Sequence, residues 1–246
     1  MQFFTKVVLM TVFIAGGLVR ALTPANADTT VTVDPLASWI GYMNVSELPA
    51  NGGAFLFGGP WATPDLVATF TGPVLTLLPN ATNDPSSFWF TPSGGPGALG
   101  NKNMDANMYV ETTGLYNGQT LTFTGNVLSN TLSDIVNPNG ESWTSLAFIR
   151  DYSADYSSYV SITKPLVNGV FSISLATIND PSRHIWYGFE TIGPDVWITD
   201  DAAYGSVQVI AVPEPPTSAL IGLGLAFTAF LLRRRQPSRG RRSKPN

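Results

Sequence analysis

The chain has a single histidine, His184, and no cysteine, so its options for nucleophilic and metal chemistry are narrow. Without cysteine there is no disulfide, no thiolate nucleophile and no cysteine metal ligand. A zinc site is excluded as well, because it needs several histidine or cysteine ligands. A Ser-His-Asp triad would have to use His184, but the sequence contains no Gly-x-Ser-x-Gly motif. We therefore expect His184 to be a loop or strand-edge residue.

Carboxylates form two candidate groups, Asp151 with Asp155, and Asp195 with Asp200 and Asp201. A glycosidase would need two of them about 5–9 Å apart in a cleft, and a calcium ion would need several loop oxygens. Both groups fall in predicted turns, where aspartate is favoured for backbone reasons alone. We therefore predict that the protein is not an enzyme. No cofactor is expected except a possible calcium ion, for which Asp200 and Asp201 are the candidates.

Tryptophans are further candidates, because an exposed ring can stack on a sugar ring. The chain has six of them. Trp61 and Trp143 lie beside predicted loops, which favours them as stacking residues. Trp186 and Trp197 lie within apolar strand patterns, which predicts core positions for both.

A polar, tyrosine-rich segment covers residues 151–159. Tyr152 and Tyr156 within it are candidates for the rim of a ligand site. The alternative is a solvated loop between two strands.

These candidates are set in a region, 28–211, whose pattern is all-β. The clearest strand is Thr120 to Val127, in which Leu121 and Phe123 share one face and the intervening threonines share the other. No window of about 12 residues shows a helical stripe. The pattern predicts a two-layer, jelly-roll-like β-sandwich. The other predicted strands are 29–33, 54–57, 66–70, 74–78, 88–90, 108–112, 146–150, 170–176, 185–189, 196–199 and 207–212.

The charges are segregated along the chain. Asp28 to Ala211 contains 16 acidic and four basic residues, a formal charge of −12. An acidic body repels phosphate, so nucleic acid is not expected as a partner. Arg233 to Asn246 carries seven basic residues and no acid, which is typical of the cytoplasmic face of a membrane.

The first 27 residues have the three parts of a secretory signal peptide. Lys6 supplies the positive charge, Val7 to Val19 the apolar stretch, and Ala25-Asn26-Ala27 the small-x-small cleavage pattern. We expect signal peptidase to cut after Ala27, so that the mature chain begins at Asp28. The alternative is a buried amino-terminal helix.

The last segment, 212–246, opens with Val212-Pro213-Glu214-Pro215. Thr217 to Leu232 follows as an almost uncharged run of 16 residues, which predicts a transmembrane helix about 24 Å long. That length is short for a bilayer core of about 30 Å, but arginines can extend it by snorkelling. Arg233-Arg234-Arg235 would stop transfer, and the prolines hold the preceding residues extended, as a protease site requires.

This order of features resembles the PEP-CTERM protein-sorting domain. The resemblance implies an exosortase, a membrane-embedded cysteine transpeptidase, as a partner. It would cut near Pro213-Glu214-Pro215 and deliver the protein to the cell surface or the extracellular matrix. Family tails usually end soon after the arginines, whereas eleven residues follow Arg235 here. The alternative is a plain tail-anchored membrane protein with a chance Pro-Glu-Pro.

The layout of the middle region also resembles jelly-roll carbohydrate-binding modules, over about 100 residues. The resemblance implies the fold more than it implies sugar binding. The segments that carry it are Gly118-Gln119-Thr120-Leu121-Thr122-Phe123, Phe171 to Leu175, Trp186-Tyr187-Gly188-Phe189 and Gly205 to Ile210.

We therefore predict an exported protein, directed to the surface or the extracellular matrix, whose sandwich is structural or adhesive and non-catalytic. Its domains would be a signal peptide (1–27), the sandwich (28–211) and the sorting segment (212–246). A module that recognises extracellular polysaccharide is the alternative function. An enzyme acting on polysaccharide is the third possibility.

Overall fold

The computed structural model describes residues 28–212 of the chain. The predicted signal peptide with its cleavage site, the membrane helix 217–232 and the stop-transfer arginines lie outside these residues. So does the sorting motif except for Val212. Within residues 28–212 there is no helix with the length and apolar character needed to cross a membrane.

The described region is all-β and consists of two sheets in a sandwich-like arrangement, which confirms the predicted fold class. The first sheet contains β1 (Asp28–Thr32), β4 (Ala68–Thr71), β5 (Val74–Leu77), β9 (Thr120–Asn130), β12 (Gly169–Ala176) and β14 (Val207–Ile210). The second contains β2 (Ile40–Glu47), β3 (Phe55–Trp61), β6 (Ala81–Thr82), β7 (Phe90–Thr91), β8 (Leu99–Thr113), β10 (Thr144–Tyr152), β11 (Tyr159–Pro165) and β13 (His184–Trp197). Among residues 28–212 the helices are three short 3-10 turns, Pro49–Asn51, Leu132–Asp134 and Asp201–Tyr204.

The strand order mixes distant parts of the sequence. In the second sheet the order is β11-β10-β13-β8-β2-β3, with β6 beside β13 and β7 beside β8. In the first sheet β12 lies on one edge of β9, and β1 and β14 lie along its other edge, followed by β5 and β4. From β8 onward every connection except β10–β11 passes from one sheet to the other. Each sheet therefore brings together residues from both halves of the chain.

The core lies between the sheets and is formed by the inward side chains of alternating strands. In β9, Leu121 and Phe123 are fully buried, which confirms the alternation predicted for Thr120 to Val127. The Phe123 ring centroid lies 5.3 Å from that of Phe171 in the first sheet and 5.3 Å from that of Phe189 in the second. This aromatic cluster joins the two layers.

Strand β2 was not predicted, although it is an interior strand between β8 and β3. Its inward face carries Gly41, Met43 and Val45, and its outward face begins with Ile40 and Tyr42. Because apolar residues occupy both faces, the polar–apolar alternation that marks a half-buried strand is weak here. Glycine at the start lowers the β propensity further.

Several strands are longer than predicted, and β8 and β13 exceed their predicted ranges by the largest margins. β8 begins at Leu99 because the polar run before Met108 forms part of the sheet, with every second side chain on the outer face. β13 is one strand where two were predicted, because Gly193-Pro194 does not end it; the pairing with β8 shifts register after Pro194 instead. β7 is shorter than predicted and covers only Phe90–Thr91.

Candidate functional site

The outer face of the second sheet carries a cleft of about 460 Å³. Its lining combines aromatic rings with polar and charged groups: Tyr42, Asn44, Asn107, Tyr109, Glu111, Arg150, Tyr152, Tyr156 and Trp186. All except Tyr156 lie on β2, β8, β13 and β10, which are consecutive neighbours in the sheet. The cleft is therefore built on rigid elements, and only one loop, 153–158, contributes to it.

Strand alternation places these side chains on one face. In β13, Ile185 and Tyr187 belong to the core, so Trp186 between them points to the outer face. The pairing register puts Trp186 between Arg150 of β10 and Glu111 of β8. An aromatic ring, a guanidinium and a carboxylate thus lie in one row across three strands.

Aromatic rings form most of the wall of the cleft. The Trp186 ring stacks on Tyr109, with centroids 3.9 Å apart and planes inclined by 18°. The Tyr152 ring lies 4.4 Å from Trp186, and Tyr156 stacks on His184 at 4.2 Å. Tyr152 and Tyr156, the two tyrosines predicted for a ligand rim, both line this cleft. His184 is the first residue of β13 and therefore lies at the amino-terminal end of that strand.

A buried ion pair lies beneath the cleft. Arg150 donates hydrogen bonds of 2.6 Å to the Glu190 carboxylate and 2.6 Å to Asn107 Oδ1. Asn107 donates in turn to Asp105 at 2.8 Å. Burial and the nearby Asp105 carboxylate raise the pKa of Glu190 to about 7, against the opposing effect of Arg150. The network fixes the Arg150 side chain and places its charge against Glu190.

The rim of the cleft is acidic. The Tyr156 hydroxyl donates a hydrogen bond to Glu111, and His184 Nδ1 lies 3.1 Å from the same carboxylate. Burial and the Glu111 carboxylate raise the pKa of Tyr156 above its ordinary value. These contacts attach the loop 153–158 to the sheet.

Gly188 pairs with Tyr109 at a point where the strands leave no space for a side chain. A Cβ at this position would lie 2.1 Å from the Met108 carbonyl oxygen and 2.6 Å from Tyr109 Cα. We expect Gly188→Ala to lower the free energy of unfolding by about 1–3 kcal/mol in urea denaturation, because backbone must move. Gly59→Ala is the matched control, since nothing lies within 4 Å of its Cβ. Equal stability of the two variants would contradict the packing described here.

A second groove, of about 620 Å³, lies elsewhere on the domain. It brings together two residues that the sequence analysis singled out, Trp61 and Asp201. Trp89, Asp65 and Asp84 also line it. Its lining offers aromatic and acidic groups but no arginine or lysine.

The expectation that Trp143 offers a stacking face is wrong. Its side chain is 2% exposed, and its indole N–H donates to the Pro194 carbonyl at 3.0 Å. The ring faces belong to the core, so no ligand can reach them.

Trp186 departs from prediction in the opposite direction, because it lies on the outer face and not in the core. Trp197 is half-buried and packs edge-on against Phe90 at 5.5 Å.

The Asp200 and Asp201 carboxylates accept hydrogen bonds from neighbouring backbone and side-chain groups, and Asp200 also joins its loop to the loop that contains Gly97. Asp200 accepts hydrogen bonds from the Gly97 N–H and the Thr199 hydroxyl, and Asp201 accepts one from the Ala202 N–H. Among residues 28–212 no group of three or more histidine, aspartate and glutamate side chains is arranged to hold a metal ion. Calcium binding by this pair stays a prediction.

Asp151 and Asp155 do not share a site. Asp151 is buried within β10, where a turn had been predicted, and accepts hydrogen bonds from Arg183 Nε at 2.6 Å and the Ile178 N–H at 2.7 Å. Asp155 lies in an exposed turn, where two serine hydroxyls hold its pKa at about 2. Both carboxylates serve the fold.

Asp195 also lies within a strand, β13, and is 2% exposed. Its Oδ1 accepts from the Lys102 N–H at 3.0 Å, while Oδ2 has no partner among the described residues. Burial raises the pKa of Asp195 to about 7. Because the folded-state pKa exceeds the ordinary value, the stability that its protonated form contributes is complete below about pH 4 and is lost as the pH rises to about 7.

We therefore expect the wild-type protein to lose about 3 kcal/mol more stability than Asp195→Asn between about pH 4.5 and 7.5. The asparagine keeps the acceptor for Lys102 and cannot ionise. Urea denaturation at both pH values measures the difference. Equal losses in the two proteins would show that Asp195 does not titrate in this range.

Most of the cleft was missed from the sequence. Asn107, Tyr109 and Glu111 alternate along β8, and Tyr42 and Asn44 alternate along β2. A period of two that puts aromatic and amide side chains together on one face is the signal that could have revealed them. Tyr109 and Glu111 fell inside the predicted strand 108–112, but Asn107 lay before it and β2 was not predicted, so the shared face was not recognised.

The family model of the PEP-CTERM protein-sorting motif matches residues 211–235. No curated protein and no solved structure matches the chain. The family match includes Pro213-Glu214-Pro215 and Arg233-Arg234-Arg235, and it starts at the residue that follows β14. The chain therefore carries a PEP-CTERM protein-sorting motif directly after its β-sandwich-like domain.

Proposed function

We propose that this protein is exported, sorted by its PEP-CTERM motif to the cell surface or extracellular matrix, and binds polysaccharide there. Binding would use the cleft of the second sheet and would not be followed by catalysis. The observation that carries the proposal is the stack of Trp186 on Tyr109 beside the fixed guanidinium of Arg150.

The sorting half of the proposal rests on the motif itself. The PEP-CTERM motif supports a protein that is sorted to the cell exterior through an exosortase. In the proposed route signal peptidase cuts after Ala27, Thr217 to Leu232 anchors the chain in the membrane, and exosortase then cuts near Pro213-Glu214-Pro215. The acidic domain would then be outside the cell and Arg233-Arg234-Arg235 on the cytoplasmic side.

The binding half rests on the chemistry of the cleft. A sugar ring has an apolar face of C–H groups, which an aromatic ring can cover, and hydroxyls around its edge, which need hydrogen-bond partners. Trp186, Tyr152 and Tyr156 supply rings and Asn44 supplies an amide in the same lining. Tyr109 and Asn107 are 4% and 1% exposed and hold these groups in place. A jelly-roll-like sandwich, which the repeated crossing of the chain between sheets supports, would be a suitable scaffold for such a face.

The carboxylates of the cleft region favour binding over hydrolysis. Glu190 is 6% exposed and is paired with Arg150, so it does not reach the open cleft. Glu111 lines the cleft but is engaged by Tyr156 and His184. Neither is placed as a free acid or base beside a bound sugar, and we therefore propose a non-catalytic module.

A structural or adhesive role is the second candidate, and the edge strand β3 favours it. Phe55 is 66% exposed and Phe57 is 41% exposed, on a strand that ends the second sheet. Exposed apolar side chains on an unpaired edge can pair with another chain. Self-association through β3 would give a surface protein cohesion without any glycan.

The full-length protein in detergent, titrated with neutral polysaccharides, tests the proposal. Dextran, hydroxyethylcellulose, glucomannan and xylan would each be measured by calorimetry, with calcium and with a chelator. We expect at least one to bind without releasing reducing ends. If no polysaccharide binds and the protein associates with itself in a concentration-dependent way, the adhesive role would replace the proposal. Release of reducing ends would contradict the non-catalytic assignment.

Removal of Val212 to Asn246 is expected to change the location of the protein. In a host with its own exosortase, the full chain should be recovered from the surface fraction and the truncated chain from the soluble exported fraction. Arg239→Ala with Arg241→Ala is the control, because both positions lie beyond the matched motif. If the truncated chain still reached the surface and was processed identically, the sorting assignment would be wrong.

A further inference from the structure

The charges around the cleft are unbalanced. Arg150 is the only arginine or lysine among the residues that line it. Its guanidinium already bonds the Glu190 carboxylate at 2.6 Å and Asn107 at 2.6 Å. The guanidinium is therefore already engaged within the protein before any ligand arrives.

Two further carboxylates make the region net negative. Glu111 lines the cleft, with His184 as its only nearby ionisable base among the described residues. Asp105 lies next to the cleft, where it accepts hydrogen bonds from Asn44 at 3.2 Å and Asn107 at 2.8 Å. Neither of these contacts carries a positive charge, so Arg150, which interacts electrostatically with both Asp105 and Glu190, is the one arginine or lysine of the cleft lining set against these two carboxylates and Glu111.

We propose that the cleft selects polysaccharides without acidic groups and rejects those that carry carboxylate or sulfate. This inference rests on the proposed function, since it names the class of glycan that the same cleft would take. An acidic group on a bound sugar would lie close to Glu111 and would find no unpaired cation. Hydroxyl and amide groups meet no such penalty, because they are uncharged and Asn44 and the Tyr42 and Tyr152 hydroxyls of the lining can bond them.

Carboxylate repulsion at the rim has a size that can be measured. Two like charges about 6 Å apart weaken binding by about threefold at the dielectric constant of water and by about a hundredfold at the effective dielectric constant of a protein surface, so we expect an intermediate penalty of about tenfold at the open rim in low salt. The Debye length falls from about 20 Å at low salt to about 4 Å at 0.5 M salt, so the penalty should shrink with added salt. A purely steric rejection of bulky substituents would not depend on salt.

Two matched pairs of polymers test the inference on the full-length protein. Hydroxyethylcellulose is compared with carboxymethylcellulose, and dextran with dextran sulfate, by calorimetry in low and high salt. For the pair whose neutral polymer binds, we expect the anionic polymer to bind about tenfold more weakly in low salt. This difference in affinity should become smaller in high salt. Equal affinity for the neutral and anionic polymers would overturn the inference and leave the proposed function intact. Failure of every neutral polymer would instead overturn the proposed function.

A charge-removing variant assigns the selectivity to the cleft. Glu111→Gln keeps an acceptor for the Tyr156 hydroxyl. It should reduce the preference for the neutral over the anionic polymer from about tenfold to about threefold. Glu141→Gln removes the same charge outside the cleft and keeps an acceptor for Asn137, with which Glu141 bonds at 2.9 Å. It should leave the tenfold preference unchanged. A preference that is the same in both variants would overturn the assignment to Glu111.

Discussion

Replacing Trp186 with alanine is expected to weaken polysaccharide binding about thirtyfold, which corresponds to about 2 kcal/mol. The ring is the centre of the aromatic wall, because it contacts both Tyr109 at 3.9 Å and Tyr152 at 4.4 Å. Its loss removes one stacking surface and frees the two tyrosine rings that it holds in place. Calorimetry with the neutral polymer that binds best to the wild-type protein measures the effect.

Two variants distinguish a lost contact from a lost fold. Trp61→Ala alters the second groove, which is separate from the cleft, and should leave the affinity unchanged. Trp186→Phe keeps a ring and should restore most of the affinity. Thermal denaturation should show that Trp186→Ala remains folded, because the side chain lies on the outer face. If the affinity of Trp186→Ala for the polymer is within twofold of the wild-type affinity, the cleft is not the binding site.

Replacing Arg150 with alanine is expected to lower the free energy of unfolding by about 3–5 kcal/mol at pH 8. The variant leaves Glu190 buried without a counter-charge and next to Asp105. The penalty depends on pH in a definite direction. Because the pKa of Glu190 is already raised to about 7 and would rise further without Arg150, the folded variant holds a neutral Glu190 at pH 5, and the loss should be smaller there.

The controls for Arg150→Ala separate charge from packing. Adding Glu190→Gln to it should recover part of the stability at pH 8, because the unpaired charge is gone. Lys102→Ala breaks a second pair, at 3.0 Å, whose carboxylate partner Glu47 is 28% exposed to water, so it should cost less than Arg150→Ala. Urea denaturation at both pH values measures all three. An equal loss for Arg150→Ala at pH 5 and pH 8 would show that the buried charge is not the cause.

The sequence predicted the fold class well where one face of a strand is polar. The threonines that alternate with Leu121 and Phe123 made β9 clear, and its burial follows that pattern. Prediction failed for β2, whose outer face contributes Tyr42 and Asn44 to the cleft, and also for the polar first half of β8 and the exposed edge strand β11, which do not line it. Binding surfaces put rings and amides where a simple strand carries threonine or serine, so the alternation rule weakens at the residues of interest.

The candidate site could be predicted only in fragments. Tyr152 and Tyr156 were found because they are close together in sequence. Their partners Tyr109, Arg150 and Trp186 come from three strands, and only the pairing register brings them into contact. Trp143 was predicted wrongly for a related reason, because a position beside a loop does not reveal whether the ring points into the core. The register between strands that are distant in sequence depends on how those strands pair, and the local pattern of one strand does not reveal it.

The sorting motif behaves differently, because it is local. Pro213-Glu214-Pro215, the apolar run and the arginines follow one another directly, so no tertiary contact is needed to recognise them. The described strands end at Ile210, and the matched motif begins at the next residue. A protease acting near the prolines would therefore cut outside the sandwich and leave the cleft unchanged.

Intact mass spectrometry of the form recovered from the cell surface tests the central claim most directly. If the protein is exported and sorted as proposed, the amino terminus will be Asp28 and the carboxyl terminus will lie near Pro213, with any attached group visible as added mass. Recovery of the unprocessed 26.3 kDa chain from the surface, or its confinement to the cell interior, would contradict the proposal.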